Sequence, residues 1–169
     1  NVAVGIRHAI SHHGIERIAL IDFDVHHGNG SEDILFDDPH VLMCSIFEKN
    51  LYPFCGDVPM GANMVNVGLP TRSGSEAFRQ AVSEVWMPAL EKFQPEMIFI
   101  SAGFDGHRED DMGNLALVEA DYEWVTKQIV MIAQRYSHGR IVSCLEGGYD
   151  LSSLGRSVAA HVRVLIGAD

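Results

Sequence analysis

Three short runs carry more reactive side chains than a folding chain needs. The first is Asp22-Phe23-Asp24-Val25-His26-His27-Gly28-Asn29-Gly30. Alternate side chains of an extended segment leave on one side, so Asp22, Asp24 and His26 read as a metal-ligand set of two oxygens and one nitrogen. Gly28 and Gly30 permit a tight turn into the next element. A lone histidine at a strand end is usually an ordinary, partly buried side chain, but the whole D-x-D-x-H-H-G-x-G run favours a metal. The second run is Ser101-Ala102-Gly103-Phe104-Asp105-Gly106-His107. Asp105 either caps a helical turn or completes a site with Asp24 and His26. Two oxygens and one nitrogen leave positions on a divalent ion for water, as metal-assisted hydrolysis requires. The third run is Leu145-Glu146-Gly147-Gly148-Tyr149-Asp150-Leu151. Its glycines let the backbone approach a ligand, Tyr149 is placed to donate a hydrogen bond to an oxyanion, and Asp150 reads as the N-cap of a final helix.

The elements that must position these runs alternate in type. Residues 17–23, 41–47, 64–69, 97–101 and 141–145 are nearly continuous apolar stretches and read as buried strands. Residues 77–93 place Ala77, Phe78, Ala81, Val82, Val85, Trp86, Ala89, Leu90 and Phe93 at helical spacing. Ser73 and Glu76 suggest a capping box for that helix and Pro88 a kink within it. Residues 119–136 put Tyr122, Val125, Ile129, Ile132 and Tyr136 on one helix face, and residues 152–166 turn Leu154, Val158, Val162 and Leu165 inward. A shorter helix, 2–12, precedes the first strand. This alternation predicts an α/β fold, a parallel sheet with helices on both faces. In such sheets ligands bind beyond the carboxyl ends of the strands, where all three runs lie.

The chain has 169 residues, 47% of them hydrophobic, with a formal net charge of -11. That length suits one domain. The negative balance excludes binding to a phosphate backbone and tolerates a cationic amine. No apolar run approaches the ~18 residues of a membrane span. Cys44, Cys55 and Cys144 form no C-x-x-C pair, so a reduced, cytoplasmic protein is expected, with Cys44 and Cys144 as small buried hydrophobes. The chain opens on Asn1, inside a helical pattern.

In their order and spacing, IDFDVHHGNG, SAGFD and LEGGYDL resemble the zinc-dependent histone deacetylases, a family that includes acetylpolyamine amidohydrolases and acetoin-utilisation proteins. Asn29 and Glu146 are closer to class II-like bacterial members. The resemblance implies an arginase/deacetylase-like fold with one Zn2+ per chain on Asp24, His26 and Asp105. Tyr149 would polarise the acetyl carbonyl and hold the oxyanion. A monovalent cation, K+, would sit on Asp22, Asp24, His26, Ser45 and Ile46, largely through backbone carbonyls. Tyr52, Gly147 and Gly148 would line the acyl-lysine tunnel. Asp22, Asn29 and His27 would stand behind the metal ligands. Asp22 and Asn29 would orient two adjacent histidines, one the general base, that the family carries upstream of the segment aligning with Asn1. His12 and His13 lack that Pro-Gly-His-His context and read as cations at a helix C-terminus. Asp111 stands where many members have Pro, and Val118 where a capping Thr is common.

Residues 1–169 are therefore expected to form the C-terminal part of a single catalytic domain, with a sheet incomplete at its N-terminal side. The exposed strand edge would favour self-association. The parent protein is expected to hydrolyse an acetyl amide, of acetyl-lysine or an acetylpolyamine, without nucleic-acid or membrane partners. The chain alone would be impaired, since a general base contributes ~10²–10⁴-fold. The alternative is a non-catalytic fragment that binds metal and acyl amines. A dinuclear phosphoesterase would need a G-N-H-[DE] run, and a two-metal ureohydrolase a second D-x-D set after the fourth strand; neither is present.

Overall fold

The computed structural model describes residues 1–168; Asp169, the last residue of the expected domain, lies outside them. Five parallel strands form one sheet: β1 Ile18–Asp22, β2 Val41–Glu48, β3 Met64–Leu69, β4 Met97–Ala102 and β5 Ile141–Leu145, in the order β3-β2-β1-β4-β5. Every residue of the central β1 is buried, which explains why it is apolar on both faces. Ile18 and Leu20 enter one core with Ile6, Met43 and Phe99, beneath α1 (Val2–His13). Ala19 and Ile21 enter the other with Phe78, Trp86, Ile100, Tyr122 and Ile129. That second layer contains α3 (Ser75–Ala81), α4 (Met87–Phe93) and α5 (Glu119–Tyr136). Helices thus cover both faces, as the alternation predicts. No described helix is long and apolar enough to cross a membrane.

Four expectations need correction. β5 is not a buried strand: Val142 is 38% and Leu145 62% exposed. It lies at the edge of the sheet and pairs only with β4, which also leaves Cys144 half-buried while Cys44 is fully buried. Residues 77–93 are not one kinked helix, because a π turn, Val82–Trp86, separates α3 from α4. Pro88 sits in the first turn of α4; it has no N–H for the Glu84 carbonyl, and the wider turn accommodates that loss. The Ser73–Glu76 capping box does not form. Gly74 is the N-cap, and it has no side chain to offer. Ser75 Oγ instead donates to Asp121 (2.8 Å), as does Arg79 Nε (2.9 Å). Asp121 also accepts the Val118 N–H (3.1 Å), so the helix start at Val118 is served from within α5.

The fourth correction concerns α6 (Leu151–Leu165). Its buried positions are Ser153, Ser157 and His161; Leu154 and Val158 are only half-buried against the core, and Val162 is exposed. Within that stripe His161 is satisfied on both sides, Nδ1 by Thr126 Oγ1 (2.7 Å) and Nε2 by Ser143 Oγ (2.9 Å). Asp150 caps the helix as expected, its Oδ1 accepting the Ser153 N–H (2.7 Å). A short α2 (Asn29–Leu35) follows the first motif. α1 ends at Gly14 in the left-handed region (φ 63°), with His12 and His13 exposed in its last turn.

Candidate metal centre and its surroundings

Parallel register assembles the site. Asp22 at the end of β1 lies opposite Ser45 of β2 and Ser101 of β4, so the connections leaving β1 and β4 run side by side. Asp24 and His26 come from the first, Asp105 from the second. One ligand atom from each lies within 4.8 Å of the others. His26 Nδ1 is 3.0 Å from Asp24 Oδ1 and 3.1 Å from Asp105 Oδ2. The chain leaves extended geometry after Asp22, so simple alternation does not hold. Asp22 is not part of the group and accepts the Asp24 N–H (3.1 Å), and Asp105 takes the place alternation assigned to it.

The remaining carboxylate oxygens are held by backbone. Asp105 Oδ1 accepts the Val25 N–H (3.0 Å) and Asp24 Oδ2 the Gly147 N–H (2.8 Å). The second bond brings the connection after β5 onto the metal group. Only glycine allows this approach. A Cβ on Gly147 would run into Asp105 and come within 2.7 Å of Asp24 Oδ2, and a Cβ on Gly103 would run into Asp24.

The group concentrates negative charge. Hydrogen bonds to Asp105 and Asp24 push the His26 imidazole up to about 10. Burial raises Asp105, and burial together with the Asp24 charge raises Asp22 well above the usual carboxylate range. Carboxylates that retain protons this strongly would be relieved by a bound cation. The O, N, O donor set suits a divalent ion with open positions.

Cavities flank the group. One, of about 490 Å³, is lined by Asp24, His26, Tyr52, Met112, Leu145, Glu146, Gly147 and Tyr149. Tyr149 is 59% exposed there. Burial of its hydroxyl and the charges of Asp105 and Asp24 raise its pKa, so the phenol is a hydrogen-bond donor at neutral pH. The Tyr52 ring stands 6.3 Å from that of His26 at 66°. The other cavity, of about 390 Å³, reaches Asp22, His27, Ser101 and Glu146 from residues Asn1–Ala3 at the start of α1.

The remaining sequence-derived residues are placed as follows. His27 is buried with Nε2 2.8 Å from Glu32 Oε2 and Nδ1 3.2 Å from Ser45 Oγ, behind the ligands. Ile46 is buried in β2. Gly148 links Gly147 to Tyr149. Asn29 lies exposed at the first turn of α2 and is not among the cavity-lining residues. Glu32, Asp110, Met112 and Leu145 also reach this region. Leu145 stands in the third run and Asp110 in the irregular acidic stretch after Asp105, but no local pattern marks Glu32.

The histone deacetylase domain profile matches residues 1–165. The chain is 42% identical to type-2 histone deacetylase 2 of Dictyostelium discoideum, over 98% of this chain and 11% of that protein. It is 35% identical to a histone deacetylase-like amidohydrolase of Pseudomonas aeruginosa, over 88% of this chain and 41% of that protein. The solved structure of the histone deacetylase Clr3 superposes with a TM-score of 0.88 at 29% identity, covering 99% of this chain and 30% of that one. The chain thus spans less than half the length of each of these proteins. With a profile match over nearly all of its length, and with that family's sheet, the chain belongs to the histone deacetylase domain family.

Proposed function

We propose that the protein hydrolyses the amide of an acetylated amine, acetyl-lysine or an acetylpolyamine, with Zn2+ held by Asp24, His26 and Asp105. The observation that carries this reading is the convergence of those three side chains, two of which, Asp24 and His26, line the cavity that also receives Tyr149. The bound ion would lower the pKa of water and polarise the acetyl oxygen. Tyr149 donates its phenolic proton in a hydrogen bond to the oxygen that becomes negative. Tyr52, Met112 and Leu145 supply apolar walls for the amine's methylenes. Asp24 and Asp105 stay fixed because backbone amides hold their other oxygens. Asp22, Asp24, His26, Ser45 and Ile46 would hold K+ behind the site; the raised proton affinity of buried Asp22 fits a nearby cation.

Neither the histidines that end α1 nor His27 is placed to take the water's proton. His12 and His13 end α1, whereas the cavity meets the start of that helix, and a 12-residue helix is ~18 Å long. His27 is committed to Glu32 and Ser45. The base would come from outside residues 1–169, and these residues alone would turn over slowly. Self-association through the open β5 edge and a cytoplasmic location belong to the same proposal.

A fluorogenic acetyl-lysine peptide tests the reading in the full-length protein. Zinc-dependent turnover is expected, and Tyr149→Phe should lower kcat by ~10²–10³-fold, the usual effect of losing one oxyanion donor. Turnover unaffected by Tyr149→Phe, or by removal of zinc, would overturn it.

A further inference from the structure

Tyr149 is more than half exposed, so packing of its ring does little to fix its position. Its backbone is held instead by a carboxylate from another loop. Asp110 lies five residues after Asp105, is 5% exposed, and directs both oxygens at backbone N–H groups. Oδ2 accepts from Tyr149 (2.6 Å) and from Asp150 (3.0 Å), and Oδ1 accepts from Met112 (2.9 Å). The Asp110 N–H itself donates to the His107 carbonyl (2.9 Å). A single buried carboxylate therefore ties the loop carrying Asp105 to the loop carrying Tyr149.

We infer that Asp110 is a positioning residue, which sets the distance between the phenol of Tyr149 and the metal group. This rests on the function proposed above. Helix capping does not account for Asp110, because Asp150 already caps α6 through Ser153. The amides that Asp110 receives belong to Tyr149 and to the cap residue, at or before the helix start. Hydrogen bonds to an ionised carboxylate are short and about twice as strong as neutral ones, and the positive end of α6 favours the charge. Without Asp110 the two amides would lose their acceptor, and the Tyr149 backbone would be free to shift. Misplacing a reacting group by about 1 Å costs ~10²-fold in rate.

The test is a double-mutant cycle in the full-length protein with Tyr149→Phe. Asp110→Ala should lower kcat by ~10–100-fold, with KM changed less than ~3-fold and metal content unchanged. Asp110→Asn, which can still turn its amide oxygen toward Tyr149 and Asp150, should recover part of the loss. In the Tyr149→Phe background, Asp110→Ala should cost less than ~3-fold, because a residue acting through Tyr149 has nothing left to position. If Asp110→Ala does not fold, the same non-additivity is required of Asp110→Asn. Additive losses, or loss of metal from the variant that folds, overturn the inference. A Tyr149→Phe protein as active as the wild type overturns the proposed function itself, which separates the two failures.

Discussion

His161 makes the stability of this protein depend on pH in a way that can be calculated. Its ring is 3% exposed, sits between Thr126 and Ser143, and lies edge-on to Phe23 and Phe104 at 5.9 and 5.8 Å. Burial lowers its pKa from 6.5 to about 4. Between those values the unfolded chain binds a proton that the folded chain refuses. The stability tied to this group is therefore complete above pH 6.5 and is lost as pH falls through 4. The loss between pH 7 and pH 4.5 is on the order of 2 kcal/mol, against a total of ~5–15 kcal/mol for an ordinary domain. His161→Gln removes the titrating group. It should cost ~1–3 kcal/mol at pH 7, where a partner is lost in a tight site. That gap should narrow by ~2 kcal/mol at pH 4.5, because only the wild type pays for protonation there. Urea denaturation of both proteins at both pH values measures the double difference, in which the titrations of common carboxylates cancel. Parallel pH profiles for the two proteins would refute the argument, as would an NMR titration of folded His161 near 6.5.

Two further outcomes follow from the metal group. Saturation at about 100 times Kd stabilises a folded protein by ~2.7 kcal/mol, or ~5–10 °C in Tm at this chain length; a chelator should remove that increment from the wild type and none from His26→Ala, and an equal shift in the variant would locate the metal elsewhere. Gly147→Ala drives a methyl group into the Asp24 and Asp105 carboxylates, so it should reduce bound zinc at least ~10-fold by elemental analysis while leaving the far-UV circular dichroism unchanged; full metal content would show that the loop yields without disturbing the ligands.

The central strands and the grouping of Asp24, His26 and Asp105 were legible because each rests on a local pattern: β1 on an apolar run, Asp24 and His26 on spacing, Asp105 on a carboxylate isolated between glycines. What failed depended on neighbours. The apolar content of residues 141–145 matches that of a central strand, and only sheet order makes β5 an edge. α6 was read by its aliphatic residues, but Thr126 and Ser143 decide that His161 goes inside. Ser73 and Glu76 have capping spacing, yet the helix begins one residue later at Gly74, and the Ser73 N–H that Glu76 would receive donates to the Pro70 carbonyl (3.1 Å). Asp110 shows in the sequence only as an acidic residue after Asp105, because its link to Tyr149 and Asp150 runs to backbone amides 39 and 40 positions away.

The same distinction separates the parts of the site. Ligands and phenol come from the connections after β1, β4 and β5, and backbone hydrogen bonds join those three loops to one another. Nothing in that set depends on the segment between β2 and β3. That segment instead carries the exposed Tyr52, Phe54, Val58 and Met60, and it is tethered through Glu32, whose Oε1 accepts from the Met60 N–H (3.1 Å) while Oε2 meets His27, and through Asn66 of β3, whose Nδ2 donates to the Gly56 carbonyl (3.0 Å). Residues 51–60 meet the metal group only through the Tyr52 ring, which stands against His26, whereas Glu32 meets it through His27, the neighbour of His26 in the chain. Backbone hydrogen bonds hold Asp24, Asp105 and Tyr149 together at the strand ends, whereas residues 51–60 are anchored separately, through Glu32 and Asn66.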